Sequence, residues 1–99
     1  MPAADRQKIA IARALMKRPA VLVLDQAEAA MDPSSQKRVI ARILERSKGR
    51  CVIWVLQHLE LSEMFDQVLV MQNGRVVEQG SFAELRNRGG VLNDLVSKG

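Results

Sequence analysis

Ninety-nine residues allow one small domain, and 47% hydrophobic with 26% charged residues is the composition of an ordinary soluble globular chain with a thin core. One cysteine, Cys51, excludes an internal disulfide framework, and no apolar run reaches the roughly eighteen residues of a membrane-spanning helix. The net charge of +4 comes with 3% aromatics and no tyrosine, too few rings to stack on bases, so nucleic acid is not an expected partner.

In chain order, Asp5 is a candidate N-cap for a helix over residues 6–16, whose Ala, Ile and Leu content predicts a mostly buried helix. Pro19 stops that helix before Val21-Leu22-Val23-Leu24, an apolar run ending abruptly at Asp25. Such a run reads as a strand buried on both faces of a parallel sheet. Asp32-Pro33 then offers a cap followed by proline at the first helical position. The helix it opens carries Val39, Ile40, Ile43 and Leu44 on one face and runs about four turns, with Gly49 as a stop.

Residues 51–56 form a second apolar run, and a helical crossover between two such runs predicts a right-handed parallel βαβ unit. Residues 59–65 read as a short helix with Ser62 and Glu63 exposed. Asn73-Gly74 between residues 67–71 and 75–78 is a hairpin signal, because both turn residues tolerate positive φ. Ser81-Phe82-Ala83-Glu84 spells a capping box for a helix to about Asn87, and a last helix after Gly89-Gly90 places Val91, Leu92, Leu95 and Val96 on one face.

The parallel arrangement brings the ends of both strands to one edge, where ligands bind in open α/β sheets. Asp25 and Gln26 lie beyond the first strand, Gln57 and His58 beyond the second. Asp25 is either an ordinary acidic loop residue or a ligand holding Mg²⁺ beside a phosphate, directly or through water; His58 is either a satisfied structural residue or a functional one.

These motifs together resemble the C-terminal half of the nucleotide-binding domain of an ABC transporter, of exporter type. Residues 6–15 resemble the helix after the signature LSGGQ, 21–25 the Walker B strand, Ala29-Ala30-Met31-Asp32 the D-loop SALD, and His58 the H-loop histidine. Residues 73–80, NGRVVEQG, are close to a hairpin common among exporters. The resemblance spans the whole chain, 1–99, as a single domain segment. It implies an α/β fold, a partial P-loop NTPase with a parallel βαβ core, an antiparallel hairpin and C-terminal helices.

It also implies a domain that, when complete, binds Mg²⁺ and ATP and pairs with a second nucleotide-binding domain under the transmembrane domains of an exporter. That would place it in the cytoplasm, at the inner face of a membrane. Asp25 would assist Mg²⁺ through water, position 26 would polarise the attacking water, His58 would contact the γ-phosphate, and Asp32 would communicate across the dimer.

Three departures qualify that expectation. Gln26 stands where the family has its catalytic glutamate, and an amide can hold a water but not take its proton. Met1-Pro2-Ala3-Ala4-Asp5 stands where LSGGQ presents backbone N–H groups to phosphate; methyl groups, a proline and a negative charge suit that contact poorly. No GxxxxGK[ST] loop occurs. The Walker A loop, the Q-loop and the adenine-stacking aromatic are expected upstream of Met1, so the chain is either a piece of a longer polypeptide or a degenerate remnant. No bound cofactor and no ATPase activity are expected of the isolated chain. The alternative function is a non-catalytic interaction or regulatory module on the same scaffold.

Overall fold

The computed structural model describes residues 2–98, so Met1, the first position of the degenerate signature, lies outside the described residues. The chain falls into two compact units that divide after Gln57. The first contains α1 (Ala3–Met16), β1 (Val21–Asp25), α2 (Pro33–Arg46) and β2 (Cys51–Val55). β1 and β2 pair in parallel, from Val21 opposite Cys51 to Asp25 opposite Val55, with α2 as the crossover. Both strands therefore end at the same edge, as the βαβ pattern predicts.

Alternation along a strand sends successive side chains to opposite faces. Leu22 and Leu24 enter the core with Ile11, Ala27, Met31 and Ile43, and Val39, Val52 and Trp54 pack against it. Val21 and Val23 on the other face are 52% and 62% exposed, and Ile53 and Val55 are also open. The expectation of a strand buried on both faces is thus corrected: α1 and α2 both contribute to the cluster on the Leu22/Leu24 face, and among the described residues no element of this unit covers the opposite one.

α1 is corrected in two respects. It begins at Ala3 after Pro2, with no side-chain cap, so Asp5 lies in its first turn and is not the N-cap. Alanine is the strongest helix former, which lets Ala3 and Ala4 extend the helix, and Asp5 still complements the positive end of the dipole. Nor is the helix mostly buried, since Ile11 alone is buried while Met16 is 82% exposed. Its apolar content exceeds the one stripe this unit can cover.

α2 follows its predicted pattern. Asp32 caps it, Pro33 occupies the first turn, and Ile40 and Ile43 are buried. The helix ends at Arg46, and Gly49, with φ +81°, turns the chain toward β2.

The second unit begins with a 3₁₀ segment (Leu59–Met64), followed by β3 (Val68–Gln72), β4 (Arg75–Gly80), α3 (Phe82–Arg88) and α4 (Val91–Lys98). Ser62, expected to be exposed, is buried, and its hydroxyl donates to the Leu59 carbonyl at 2.6 Å. β3 and β4 are antiparallel, and Asn73 and Gly74 at the turn both have positive φ, as the hairpin signal requires. Both bonds of the Ser81/Glu84 capping box form. Val68, Val70, Leu85 and Leu92 make the core of this unit, with Phe82, Val91 and Val96 against it. Leu95 is exposed, so the inward stripe of α4 is narrower than predicted. The buried Glu78 carboxylate anchors the start of α4 from β4, its Oε1 accepting from the Leu92 N–H at 2.7 Å.

Among the described residues no helix is long and apolar enough to cross a membrane.

Candidate functional site at the edge of the parallel sheet

Asp25 is the last residue of β1, lies opposite Val55, and is exposed. The next residue leaves the strand sharply. Gln26 has φ +52°, a left-handed backbone for which glutamine, unlike glycine or asparagine, has no preference of its own. Two bonds hold it there: the Gln26 N–H donates to the Val55 carbonyl at 2.7 Å, and the Gln26 carbonyl accepts from the Ala29 N–H at 3.1 Å.

The turn that follows is held from within. Ala27 and Met31 are buried in the core, and the Gln36 side chain reaches back from α2. Its Nε2 donates to the carbonyls of Glu28 and Met31 at 3.1 and 3.0 Å. Glu28 itself is fully buried. Its Oε1 accepts from the Trp54 indole N–H at 3.2 Å and its Oε2 from the Gln57 N–H at 2.8 Å. The motifs singled out Asp25, Gln26, Asp32 and His58, and assigned Glu28 and Gln36 no part. A usable signal was present: a lone acid in the Ala-rich stretch 27–30, and a strand tryptophan whose N–H needs an acceptor when buried.

Asp32 ends this turn as the cap of α2. Its Oδ2 accepts from the Ser34 hydroxyl at 2.7 Å and from the Ser35 N–H at 3.3 Å. Hydrogen bonding from the Ser35 side chain, then from the Ser34 side chain and the Ser35 backbone, holds this carboxyl far below the usual carboxylate range. A lowered acid stabilises the fold fully above its unfolded value and loses that contribution as pH falls through the folded one. Asp32→Ala is therefore expected to melt below wild type at neutral pH. The difference should persist down to about the ordinary value of 3.8 and shrink at lower pH, as read by melting curves across an acid series. Asp32→Asn keeps a capping oxygen but not the charge, and should melt between Asp32→Ala and wild type at neutral pH.

Of the residues expected at this edge, Asp25, Gln26 and Gln57 belong to the first unit, with Asp25 opposite Val55 and the Gln57 N–H on the Glu28 carboxylate. His58 opens the second unit, half-buried at the start of the 3₁₀ segment, where its carbonyl accepts from the Leu61 N–H at 3.1 Å. Among the described residues, no group of three or more His, Cys, Asp or Glu is gathered that could hold a metal ion by itself.

With this geometry in view, the chain can be set beside proteins it resembles. It is 42% identical over 91 residues to the ATP-dependent lipid A-core flippase of Saccharophagus degradans, matching 92% of this chain and 16% of that protein. It is 40% identical over 95 residues to the β-(1→2)glucan export ATP-binding/permease protein NdvA of Brucella abortus, matching 96% of this chain and again 16% of the relative. A solved structure of a bacterial Atm1-family ABC exporter with ATP bound superposes with a TM-score of 0.93 at 30% identity, covering 99% of this chain and 17% of that one. No family model matches. The chain thus spans less than a fifth of the length of these relatives. By sequence and fold it is a homologue of the ATP-binding part of ABC exporters.

Proposed function

We propose that this chain is the C-terminal half of the nucleotide-binding domain of an ABC exporter, with a hydrolysis-impaired site. The observation that carries this reading is the shared edge of β1 and β2, where Asp25 is exposed and position 26 is locked in a left-handed turn by the Val55 carbonyl. The similarity to exporters over nine-tenths of the chain supports the same assignment.

The donor chemistry fits Mg²⁺ with ATP. One exposed carboxylate at a strand end is a hard oxygen ligand, and Mg²⁺ keeps several waters while taking its remaining ligands from phosphate. In this proposal Asp25 acts through water on Mg²⁺, and His58 contacts the γ-phosphate. Gln26 holds but does not deprotonate the attacking water, and Asp32 communicates with a second nucleotide-binding domain. The phosphate cradle belongs to the upstream half, and the substrate pathway belongs to the transmembrane domains of the exporter. The domain would work on the cytoplasmic side of the membrane.

A second reading, an interaction or regulatory module on the same scaffold, is favoured by one feature. Ala3, Ala4 and Asp5 are wound into the first turn of α1, where their methyl groups and negative charge oppose an incoming phosphate. Chemical modification of His58 by diethyl pyrocarbonate in the complete polypeptide separates the two. Protection by Mg-ATP is the outcome expected for a nucleotide site. Equal modification with and without nucleotide would support the interaction module.

A further inference from the structure

The turn after β1 is tied to two other elements through one buried side chain. The Glu28 carbonyl accepts from Gln36 on α2 and from the Met31 N–H, while its carboxylate spans two donors at the end of β2, the Trp54 indole and the Gln57 amide. Residue 26 lies two positions upstream, in a conformation that relaxes unless its surroundings over-determine it. Its own bonds, to Val55 and Ala29, join the same strand end to the same turn.

We infer that Glu28 is a positioning residue for position 26: its buried carboxylate fastens the β1 turn to the exit of β2 and so keeps residue 26 left-handed at the sheet edge. The inference rests on the nucleotide-site reading of that edge. Its chemical logic is a requirement for two acceptors. A carboxylate presents an oxygen to each N–H, whereas the amide of glutamine presents one oxygen and one NH₂, which must face a donor. Glutamine at position 28 therefore keeps the packing and loses the tie to Trp54 or to Gln57. Aspartate, one methylene shorter, reaches fewer of them.

The test is hydrogen exchange followed by mass spectrometry on the complete polypeptide, reading peptides that cover residues 26–31 and 55–57. Losing a hydrogen bond to a charged acceptor is expected to speed exchange in both peptides about tenfold or more in Glu28→Gln, with distant peptides unchanged. Faster exchange in 55–57 alone, with 26–31 as protected as in wild type, would overturn the inference, since Glu28 would then only seat β2. Trp54→Phe removes one donor and keeps a ring. It is expected to loosen 26–31 by a smaller factor, and it decides the matter by the same criterion if Glu28→Gln fails to fold.

A second readout uses the Gln26→Glu background. There Glu28→Gln is expected to lower kcat about tenfold while KM for ATP stays within about twofold, the signature of a misplaced reacting group and not of weakened binding. An unchanged kcat would count against positioning. Absence of Mg-ATP protection at His58 would defeat the nucleotide-site reading instead, and the two exchange peptides would still decide the role of Glu28, as they would in a Gln26→Glu background that shows no turnover.

Discussion

In the complete polypeptide, Gln26→Glu is expected to raise ATP turnover by about 10²–10⁴-fold, the usual contribution of a positioned general base. The substitution replaces one amide NH₂ by an oxygen and leaves the side chain the same length. The backbone into which it is placed is already built: φ is +52°, with the N–H on Val55 and the carbonyl under Ala29. The new carboxylate therefore starts from the position the amide holds, and the rate measures proton acceptance with little contribution from refolding. Phosphate release at saturating Mg-ATP reads it directly. Turnover no higher than that of the unaltered protein would mean that something other than the missing base limits hydrolysis, with Pro2, Ala3, Ala4 and Asp5 at the signature position the first suspects.

The second large effect is on stability. Ile40→Ala should cost about 2–5 kcal/mol, the range for removing a buried aliphatic side chain and leaving a cavity. Ile40 is 0% exposed on the inward face of α2, the helix that supplies both the crossover of the parallel pair and, through Gln36, the support for the β1 turn. Total stabilities are about 5–15 kcal/mol, so this one substitution removes a large part of the margin. Met16→Ala is the control, since Met16 is 82% exposed and should change stability by no more than about 0.5 kcal/mol. Urea unfolding of the two variants tests the pair. Equal losses would mean that burial does not rank these side chains.

What was legible in the sequence, and what was not, follows from the range of the interactions involved. The cap at Asp32, the Asn73-Gly74 turn and the Ser81/Glu84 box are decided by neighbours within a few residues, and the structure forms each of them. The parallel pairing of β1 with β2 followed from two apolar runs joined by an amphipathic helix. Burial was less legible. Four apolar residues in a row indicate a strand covered on both faces, but cover is a property of the surrounding elements, and here one face of Val21 and Val23 remains open. α1 misled for the same reason.

At the site, Asp25 and Gln26 could be placed by motif and strand register. Glu28 was legible only as a lone acid in an Ala-rich stretch, because its partners Trp54 and Gln57 lie 26 and 29 residues away and meet it only when the sheet forms. The left-handed backbone at Gln26 was equally hidden, since glutamine carries no preference for it and the Val55 carbonyl imposes it.

The most direct test of the central claim is the identity of the native polypeptide that carries residues 1–99. It can be captured from its source cell with an antibody to this segment and sequenced by mass spectrometry together with its intact mass. The account predicts a product several times longer, with a GxxxxGK[ST] loop upstream of residue 1 and apolar membrane spans in the same chain or in a tightly bound partner. A product consisting of these 99 residues alone, with neither feature in anything bound to it, would contradict it.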